Sequence, residues 1–442
     1  MERLIYNDLL KWKGRSGRKP LILNGARQVG KTWIIREFGR REYANTAYIN
    51  CESTPQIEEV FKDFDTRRMV TALSAVSGES ITAGSTLIIL DEIQEYPRAL
   101  TALKYFCENA PEYHVIVAGS LLGISLHQGV SFPVGKVDMM NLYPMSFTEF
   151  VMAMGKGQAA EMLQNGDISS TSALNGFFIE LLRQYYYVGG MPAAVKSFAE
   201  EGNPHEVRKI QKQILADYRK DFSKHVLRSE AERIAMVWDA IPQQLAKENK
   251  KFKYSDVKPG SRASDYLLAI QWLLDAGLIY KVTRVSAPKM PLRFYEEPSV
   301  FKLYMNDVGL LGAQMDAPAK DVLLGDNAFS EYKGAFSEQY VLSQMVPSAL
   351  PIHYYATNDS QMEVDFIVQA EQRILPIEVK AEANVHSKSL RTFIEKNPDL
   401  KGVRFSTLPY KDQDWMENVP LYNVEKLIKD NNNYCGSIKK IY

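Results

Sequence analysis

The chain has 442 residues, more than one ordinary domain needs, and this length predicts roughly three domains. It contains 53 lysine and arginine residues and 53 aspartate and glutamate residues, so the net charge is zero and no basic excess indicates a nucleic acid or an anionic membrane as a partner. No apolar run approaches the roughly 20 residues that a membrane-spanning helix needs, and we expect no membrane association.

The first motif is a glycine-rich loop that follows a strand-like apolar stretch, residues 20–23. The run Gly25-Ala26-Arg27-Gln28-Val29-Gly30-Lys31-Thr32 fits G-x-x-x-x-G-K-[ST], the P-loop. In this motif the glycines let backbone N–H groups point at phosphates, the lysine reaches the outer phosphates and the threonine hydroxyl binds Mg²⁺. The loop therefore predicts a site for ATP and Mg²⁺, with Lys31 as a catalytic residue.

A second strand-like segment, residues 86–92, is an apolar run that ends in Asp91 and Glu92. Such a run is typical of a buried parallel strand. We expect Asp91 to hold Mg²⁺, directly or through water, and Glu92 to polarise the water that attacks the γ-phosphoryl group. A glutamate at this position favours hydrolysis over binding alone.

The next apolar segment ends in Ser120, at the sheet edge where open α/β sheets collect their ligands. Ser120 either senses the γ-phosphate as a catalytic residue or caps the segment that follows it. Strand-like and helical stretches alternate through residues 1–150, which predicts an ATPase core with a parallel sheet and helices on both faces.

The second predicted region, residues 151–228, has the apolar spacing of helices and predicts a helical lid. A break at Gly189-Gly190-Met191-Pro192 interrupts this spacing. Arg219 lies in an amphipathic stretch and could reach the phosphate of a neighbouring subunit as an arginine finger. A solvated basic helix face is the alternative interpretation.

Residues 229–315 combine three short helical patterns with a hairpin, which together predict a winged helix. The hairpin strands are expected at residues 278–282 and 292–295, on either side of a proline-containing loop. Such a unit binds DNA phosphates through basic residues or serves as a protein-contact module. The basic candidates are Arg262, Lys281, Arg284 and Lys289.

The last region, residues 316–442, contains a second chemical pattern. Asp365 lies in an alternating strand, and twelve residues separate it from Glu378, which begins the E-x-K sequence that ends in Lys380. Adjacent strands can bring the two carboxylates together to hold Mg²⁺, while Lys380, on the same strand face as Glu378, orients water at a scissile phosphate. Glu338, on a preceding helix, could complete the acidic cluster of a nuclease-like site. An ordinary amphipathic strand also explains E-x-K.

The order of these motifs is similar to that of prokaryotic AAA-like ATPases that end in a DUF4143 domain, a group related to archaeal ATPases. The resemblance covers nearly the whole chain. It implies an α/β P-loop NTPase core of the additional-strand type, a helical lid, a winged helix and a C-terminal domain like restriction endonucleases. The motifs are the P-loop, Leu90-Asp91-Glu92-Ile93-Gln94, Ala118-Gly119-Ser120, Tyr143-Pro144-Met145-Ser146-Phe147, Gly189-Gly190-Met191-Pro192 and Glu363-Val364-Asp365-Phe366.

Two hypotheses of function follow from these patterns. The first is an ATP-hydrolysing machine whose C-terminal domain binds or cuts DNA. The second is a nucleotide-regulated signalling or assembly switch whose C-terminal domains bind protein partners, or further copies of the chain, without nuclease activity. The zero net charge is compatible with the second hypothesis.

The compartment is predicted from the N-terminal residues and the cysteines. Residues 1–8 lack the apolar core of a signal peptide. Cys51, Cys107 and Cys435 are far apart and have neither disulfide nor metal-ligand spacing. We therefore expect a cytoplasmic protein with reduced thiols.

Overall fold

The computed structural model describes residues 1–119, 132–224, 226–325, 332–359, 362–381 and 387–433. The chain divides into two compact units. The N-terminal unit comprises residues 2–143 and 272–278, and the C-terminal unit comprises Met1, residues 144–271 and residues 279–442. The division after residue 143 lies close to the predicted end of the ATPase core at residue 150.

A five-stranded parallel sheet forms the centre of the N-terminal unit, in the order β2-β3-β4-β1-β5. Its two apolar central strands, β3 and β4, are buried along their whole length, as strands covered on both faces must be. Because β4 lies between β1 and β3, the sheet has the additional-strand order that the resemblance implies. The strands are β1 (Leu21–Asn24), β2 (Asn45–Asn50), β3 (Thr86–Asp91), β4 (His114–Ala118) and β5 (Asp138–Asn141).

Among the described residues of the N-terminal unit, five α-helices accompany this sheet. One of them, residues 66–77, begins where the Asp65 side chain accepts a hydrogen bond from the Arg68 backbone N–H over 2.8 Å, and it ends at Gly78 in the left-handed conformation. Another, residues 97–109, buries Leu100, Leu103 and Phe106 in the core of this unit. The helices are α1 (Ile5–Gly14), α2 (Lys31–Glu42), α3 (Ile57–Val60), α4 (Thr66–Ser77) and α5 (Pro97–Asn109).

The C-terminal unit begins with a run of helices, in agreement with the helical spacing of residues 151–228. Ser146 and Glu149 form a reciprocal capping box at its first helix. The last helix of the run, residues 267–275, has residues 272–275 in the N-terminal unit. The helices are α6 (Phe147–Ala153), α7 (Gly157–Asn165), α8 (Ile168–Ser172), α9 (Asn175–Val188), α10 (Pro192–Glu201), α11 (Pro204–Asp221), α12 (Arg228–Leu245), α13 (Tyr254–Val257) and α14 (Leu267–Asp275).

An eight-stranded mixed sheet follows, in the order β12-β13-β11-β10-β9-β8-β6-β7. Its strands are β6 (Ile279–Val285), β7 (Glu296–Met305), β8 (Ile352–Ala356), β9 (Glu363–Ala370), β10 (Arg373–Val379), β11 (Gly402–Ser406), β12 (Lys411–Asp412) and β13 (Met416–Pro420). The helices in this part of the C-terminal unit are α15 (Val308–Gln314), α16 (Ala319–Leu324), α17 (Lys333–Met345), α18 (Lys388–Lys396) and α19 (Val424–Asn433). Within the described ranges, no helix of either unit is long and apolar enough to cross a membrane.

The predicted hairpin differs from the structure in two respects. Its second strand is β7, whereas residues 292–295 form a 3-10 turn before it. In addition, β6 pairs in parallel with β8, so the hairpin is the edge of the eight-stranded sheet. The structure therefore does not separate residues 229–315 and 316–442 as two domains, because strands from both regions share one backbone hydrogen-bond ladder.

The glycine pair at the predicted break after α9 has a structural explanation. Asp307 caps α15 by accepting from the Leu310 N–H over 2.9 Å, and its second oxygen accepts from the Gly190 N–H over 2.6 Å. A Cβ atom on Gly189 would lie 2.2 Å from Asp307 Oδ1. The missing side chain thus lets a buried carboxylate join the end of α9 to the start of α15.

Candidate active site

The P-loop connects β1 to α2 through backbone conformations that favour glycine. Gly25 has φ +150°, and a Cβ atom there would lie 2.2 Å from the Leu142 carbonyl oxygen. Gln28 and Gly30 are left-handed, with φ of +66° and +95°. The two motif glycines therefore serve separate purposes: Gly25 permits close approach to the segment after β5, and Gly30 permits the turn into α2.

Lys31 begins α2 and lies inside the loop, with 6% of its surface exposed. Its Nζ donates to the carbonyl oxygens of Gly25 and Ala26, each over 2.8 Å. Burial lowers the pKa of Lys31 to about 8, although nearby Glu92 and Asp91 act in the opposite direction. The ammonium is therefore a desolvated cation that an anionic ligand would stabilise.

Thr32 and Asp91, the two predicted Mg²⁺ ligands, are in direct contact. The Thr32 hydroxyl donates to Asp91 Oδ2 over 2.7 Å, and Asp91 ends the buried strand β3. Adjacent ligands of an octahedral Mg²⁺ ion lie about 2.9 Å apart, because each ligand oxygen is 2.0–2.1 Å from the metal. The hydroxyl and carboxylate oxygens therefore fit a shared Mg²⁺ ion.

Glu92 follows in a left-handed conformation, with φ +52°. This conformation is uncommon for a residue with a side chain and tends to occur at functional sites. The Glu92 backbone N–H donates to Asp91 Oδ1 over 3.1 Å, and Gln94 Nε2 donates to Glu92 Oε2 over 2.6 Å. The backbone turn and the Gln94 amide thus fix the Glu92 carboxylate beside Asp91.

Two residues at this site escaped the sequence reasoning. Tyr48, in β2, donates its hydroxyl to Asp91 Oδ2 over 3.0 Å. Arg3 donates to the Val29 carbonyl oxygen over 2.9 Å and to the Tyr143 carbonyl oxygen over 2.7 Å, and so ties the P-loop to the segment after β5. No local sequence pattern points to Arg3. Tyr48 could have been predicted only from the parallel pairing of β2 with β3, which brings it beside Asp91.

Two further predicted residues do not take part in the described site. Ser120 lies outside the described residues. The strand β4 ends at Ala118, and Gly119 is the last described residue before Ser120. Arg219 is in α11, and its guanidinium forms an ion pair with Asp239 of α12. Arg219 therefore has a carboxylate partner within the chain, which the arginine-finger interpretation did not include.

Glu338 and Glu363, two carboxylates of the C-terminal unit, are each paired with a lysine. Glu338, in α17, is buried and accepts from Lys250 and, over 3.2 Å, from the Tyr304 hydroxyl. Lys302 is fully buried and donates to Glu363 Oε1 over 2.5 Å. Burial alone would raise the pKa of Glu338, but Lys250 and Lys302 outweigh it and lower that pKa.

The predicted strand residues have local partners of their own. Asp365 Oδ2 accepts from the Val379 backbone N–H over 2.8 Å, and burial, together with nearby Glu338, raises the pKa of Asp365. Glu378 Oε1 lies 2.9 Å from Lys380 Nζ. Glu378 Oε2 is buried and has no hydrogen-bond partner among the described residues. The Asp365 side chain thus accepts a hydrogen bond from a backbone N–H of β10 that lies beyond the last residue pair of the β9–β10 ladder.

Glu338, Asp365 and Glu378, the three predicted acids, do not form one group that could hold a metal ion. Nowhere in the described ranges do three or more His, Cys, Asp or Glu side chains form a group that could hold a metal ion, although Glu338, Asp365 and Glu378 are all described. Sequence spacing correctly placed Asp365 and Glu378 on adjacent antiparallel strands. It could not reveal that Lys250 comes from a distant segment to pair with Glu338.

The predicted DNA-contacting residues are partly engaged within the chain. Arg284 forms an ion pair with Glu297 across the β6–β7 hairpin. The Lys281 ammonium lies 4.5 Å from the centre of the Phe301 ring. The Asp265 carboxylate accepts from the backbone N–H of Arg262 over 2.7 Å. Arg262 and Lys289 are exposed, and this contact of Arg262 uses its backbone rather than its guanidinium.

The N-terminal unit has the architecture of an AAA-like P-loop ATPase: a parallel sheet of additional-strand order, a P-loop after β1 and an acidic pair at the end of β3. Residues 17–151 match the family described as AAA domain. Residues 179–321 match a domain of unknown function, DUF8612, and residues 333–426 match another, DUF4143. The chain therefore combines an AAA domain with a C-terminal DUF4143 domain, and the AAA match supports ATP binding and hydrolysis.

The solved structures that match the chain are distant in sequence. The Walker-type ATPase paby2304 of Pyrococcus abyssi is 15% identical with a TM-score of 0.45, over 71% of this chain and 95% of that chain. Drosophila ORC bound to DNA is 13% identical with a TM-score of 0.28, over 71% of this chain and 94% of that chain. The Aeropyrum pernix ORC1 protein in complex with DNA is 14% identical with a TM-score of 0.27, over 71% of this chain and 91% of that chain. No curated protein matches the chain.

Proposed function

We propose that the N-terminal unit binds and hydrolyses Mg-ATP through its P-loop and the acidic end of β3. The contact of 2.7 Å between Thr32 and Asp91 carries this proposal, because it joins the two motifs as a ready pair of Mg²⁺ ligands. Bound Mg²⁺ would neutralise charge on the β- and γ-phosphates. Lys31 would exchange its two carbonyl partners for phosphate oxygens, and Glu92 would orient the attacking water.

Glutamine in place of Glu92 separates binding from hydrolysis. Glu92→Gln keeps the phosphate-binding loop and removes the carboxylate that polarises water, so ATP should bind while turnover falls by roughly 100-fold or more. Lys31→Ala should weaken binding itself. Titration calorimetry and phosphate release measure these effects, and Glu95→Gln, an exposed glutamate in the same turn, is the matched control. Undiminished turnover in Glu92→Gln would contradict the role of Glu92.

For the C-terminal unit we propose the second hypothesis: a nucleotide-regulated switch without nuclease activity that binds protein partners or further copies of the chain. The observation in its favour is that Lys250 and Lys302 pair with Glu338 and Glu363, so these carboxylates already have cationic partners. The Arg284–Glu297 ion pair also removes one of the predicted phosphate contacts. ATP-driven DNA processing is the competing function.

Two assays of the full chain discriminate these functions. With Mg²⁺ or Mn²⁺ present, supercoiled plasmid should stay intact, with and without ATP. Labelled duplex should show no binding by anisotropy at low salt, where phosphate contacts are strongest. Nicking that disappears in Asp365→Asn would replace the switch proposal with DNA processing, whereas nicking that persists in this variant comes from a contaminant and leaves the proposal standing.

A further inference from the structure

Five charged side chains, two of them buried and three half-buried, form a charge cluster in the C-terminal unit. Its members come from the loop after α12 and from β7, α17 and β9, and they influence one another electrostatically. Glu338 is 4% exposed and the Lys302 side chain is fully buried. The cluster consists of Lys250, Lys302, Glu338, Glu363 and Asp365.

The charges in this cluster come close to cancelling. Lys250 pairs with Glu338, and Lys302 pairs with Glu363. The fifth group, Asp365, is half-buried, and its Oδ2 accepts from the Val379 backbone N–H over 2.8 Å. Two lysines therefore face three carboxylates, and each of these carboxylates has a donor within the chain. Mg²⁺ would need about six oxygen ligands, and at this cluster it would have to displace the donors that already contact both oxygens of Glu338 and one oxygen each of Glu363 and Asp365.

We propose that Lys250 supplies the positive charge that a divalent metal ion would supply in a nuclease-like centre, so that the C-terminal unit folds without metal and residues 246–253 are fixed to α17 by charge. A buried carboxylate is costly unless it is paired. Glu338 therefore holds residues 246–253 in place, because moving Lys250 away would leave the buried Glu338 carboxylate without its lysine partner. This inference extends the proposed absence of nuclease activity.

Counting bound Mn²⁺ by electron paramagnetic resonance tests the absence of metal. Wild type, Asp365→Asn and Glu378→Gln should bind the same number of ions, because any ion at the P-loop is common to all three. Fewer ions in either variant would overturn the inference. Two variants are needed because one of them could fail to fold, which circular dichroism would detect. A chain that cuts no DNA but binds this ion would leave the switch proposal intact, so the two proposals can fail separately.

A double-mutant cycle tests the pairing of Lys250 with Glu338. Lys250→Met should lower the melting temperature by several degrees, since it leaves a buried carboxylate unpaired. The double variant Lys250→Met/Glu338→Gln should recover more than half of that loss, because both charges are gone. Lys247→Met is the control on the same loop, where the lysine is half-exposed and paired with Asp256. Losses that simply add in the double variant would contradict the pairing.

Discussion

The Tyr48 hydroxyl donates to Asp91 Oδ2 over 3.0 Å, the same oxygen that accepts from Thr32 over 2.7 Å. Burial, with a further contribution from Asp91, raises the pKa of Tyr48 to about 12, so the hydroxyl keeps its proton at neutral pH. The Arg36 guanidinium lies 4.7 Å from the centre of the Tyr48 ring. Tyr48 therefore positions the carboxylate proposed to hold Mg²⁺.

Tyr48→Phe should raise the Mg²⁺ concentration needed for half-maximal ATPase activity by about 10-fold, as loss of a hydrogen bond to a metal ligand commonly does. The turnover at saturating Mg²⁺ should change much less, because Glu92 is untouched. Phosphate release measured against Mg²⁺ at saturating ATP checks both values. Tyr43→Phe is the matched control, since the Tyr43 hydroxyl contacts His114 instead. Equal Mg²⁺ dependence in both variants would exclude the positioning role.

The lowered pKa of Lys31 predicts that ATP binding depends on pH. Without nucleotide this pKa is about 8, and phosphate oxygens would raise it by stabilising the charged form. ATP affinity should therefore fall as pH rises above about 8, by up to tenfold per pH unit, and binding there should take up protons. Calorimetry at about pH 8.5 in two buffers of different ionisation enthalpy measures this uptake. No uptake, together with constant affinity from about pH 7 to 9, would refute the prediction.

Gly25→Ala should disrupt the P-loop, because the new Cβ atom would lie 2.2 Å from the Leu142 carbonyl oxygen in a fixed backbone. Overpacking of this kind costs roughly 1–3 kcal/mol, and we expect a lower melting temperature together with weaker ATP binding. Gly14→Ala is the comparison, since a Cβ atom there meets nothing within 4 Å. Thermal melting and ATP titration of both variants check the prediction, which fails if the two behave alike.

Asp307→Ala should destabilise the C-terminal unit, because it leaves the Gly190 and Leu310 N–H groups without their acceptor. Loss of a buried cap and hydrogen bond costs about 1–3 kcal/mol. Asp307→Asn keeps one acceptor oxygen and should retain more stability. Asp316→Ala, which removes an exposed partner of Lys212, should cost under about 1 kcal/mol. Chemical unfolding of the three variants measures the order, and an equal loss for both alanine variants would contradict it.

Asp307 also predicts a pH dependence of stability. Burial raises its pKa to about 6 in the folded chain, above its ordinary value of 3.8, although backbone N–H groups oppose the shift. A carboxyl group whose folded pKa is raised stabilises the fold while protonated, and that contribution is lost as pH rises through the folded value. The melting temperature of wild type relative to Asp307→Asn should therefore fall between about pH 4 and pH 6. A constant difference across that window would show that Asp307 is ionised throughout.

Local patterns predicted the ATPase core well. The P-loop is eight consecutive residues between a strand and a helix, and the acidic pair closes an apolar run, so each feature depends on neighbours in sequence. The alternation of strands and helices likewise predicted the parallel sheet. The hairpin at β6 was visible for the same reason, although its second strand begins only at Glu296.

Contacts between distant segments required the folded chain. Tyr48 and Asp91 meet because β2 pairs with β3, and Lys250 meets Glu338 across 88 residues of sequence. Periodicity shows which face of an element is apolar, but it does not show which element covers that face or which charge arrives there. For this reason the acidic residues of the C-terminal unit suggested a metal site in sequence, and only the tertiary structure revealed that Lys250, from a distant segment, pairs with Glu338.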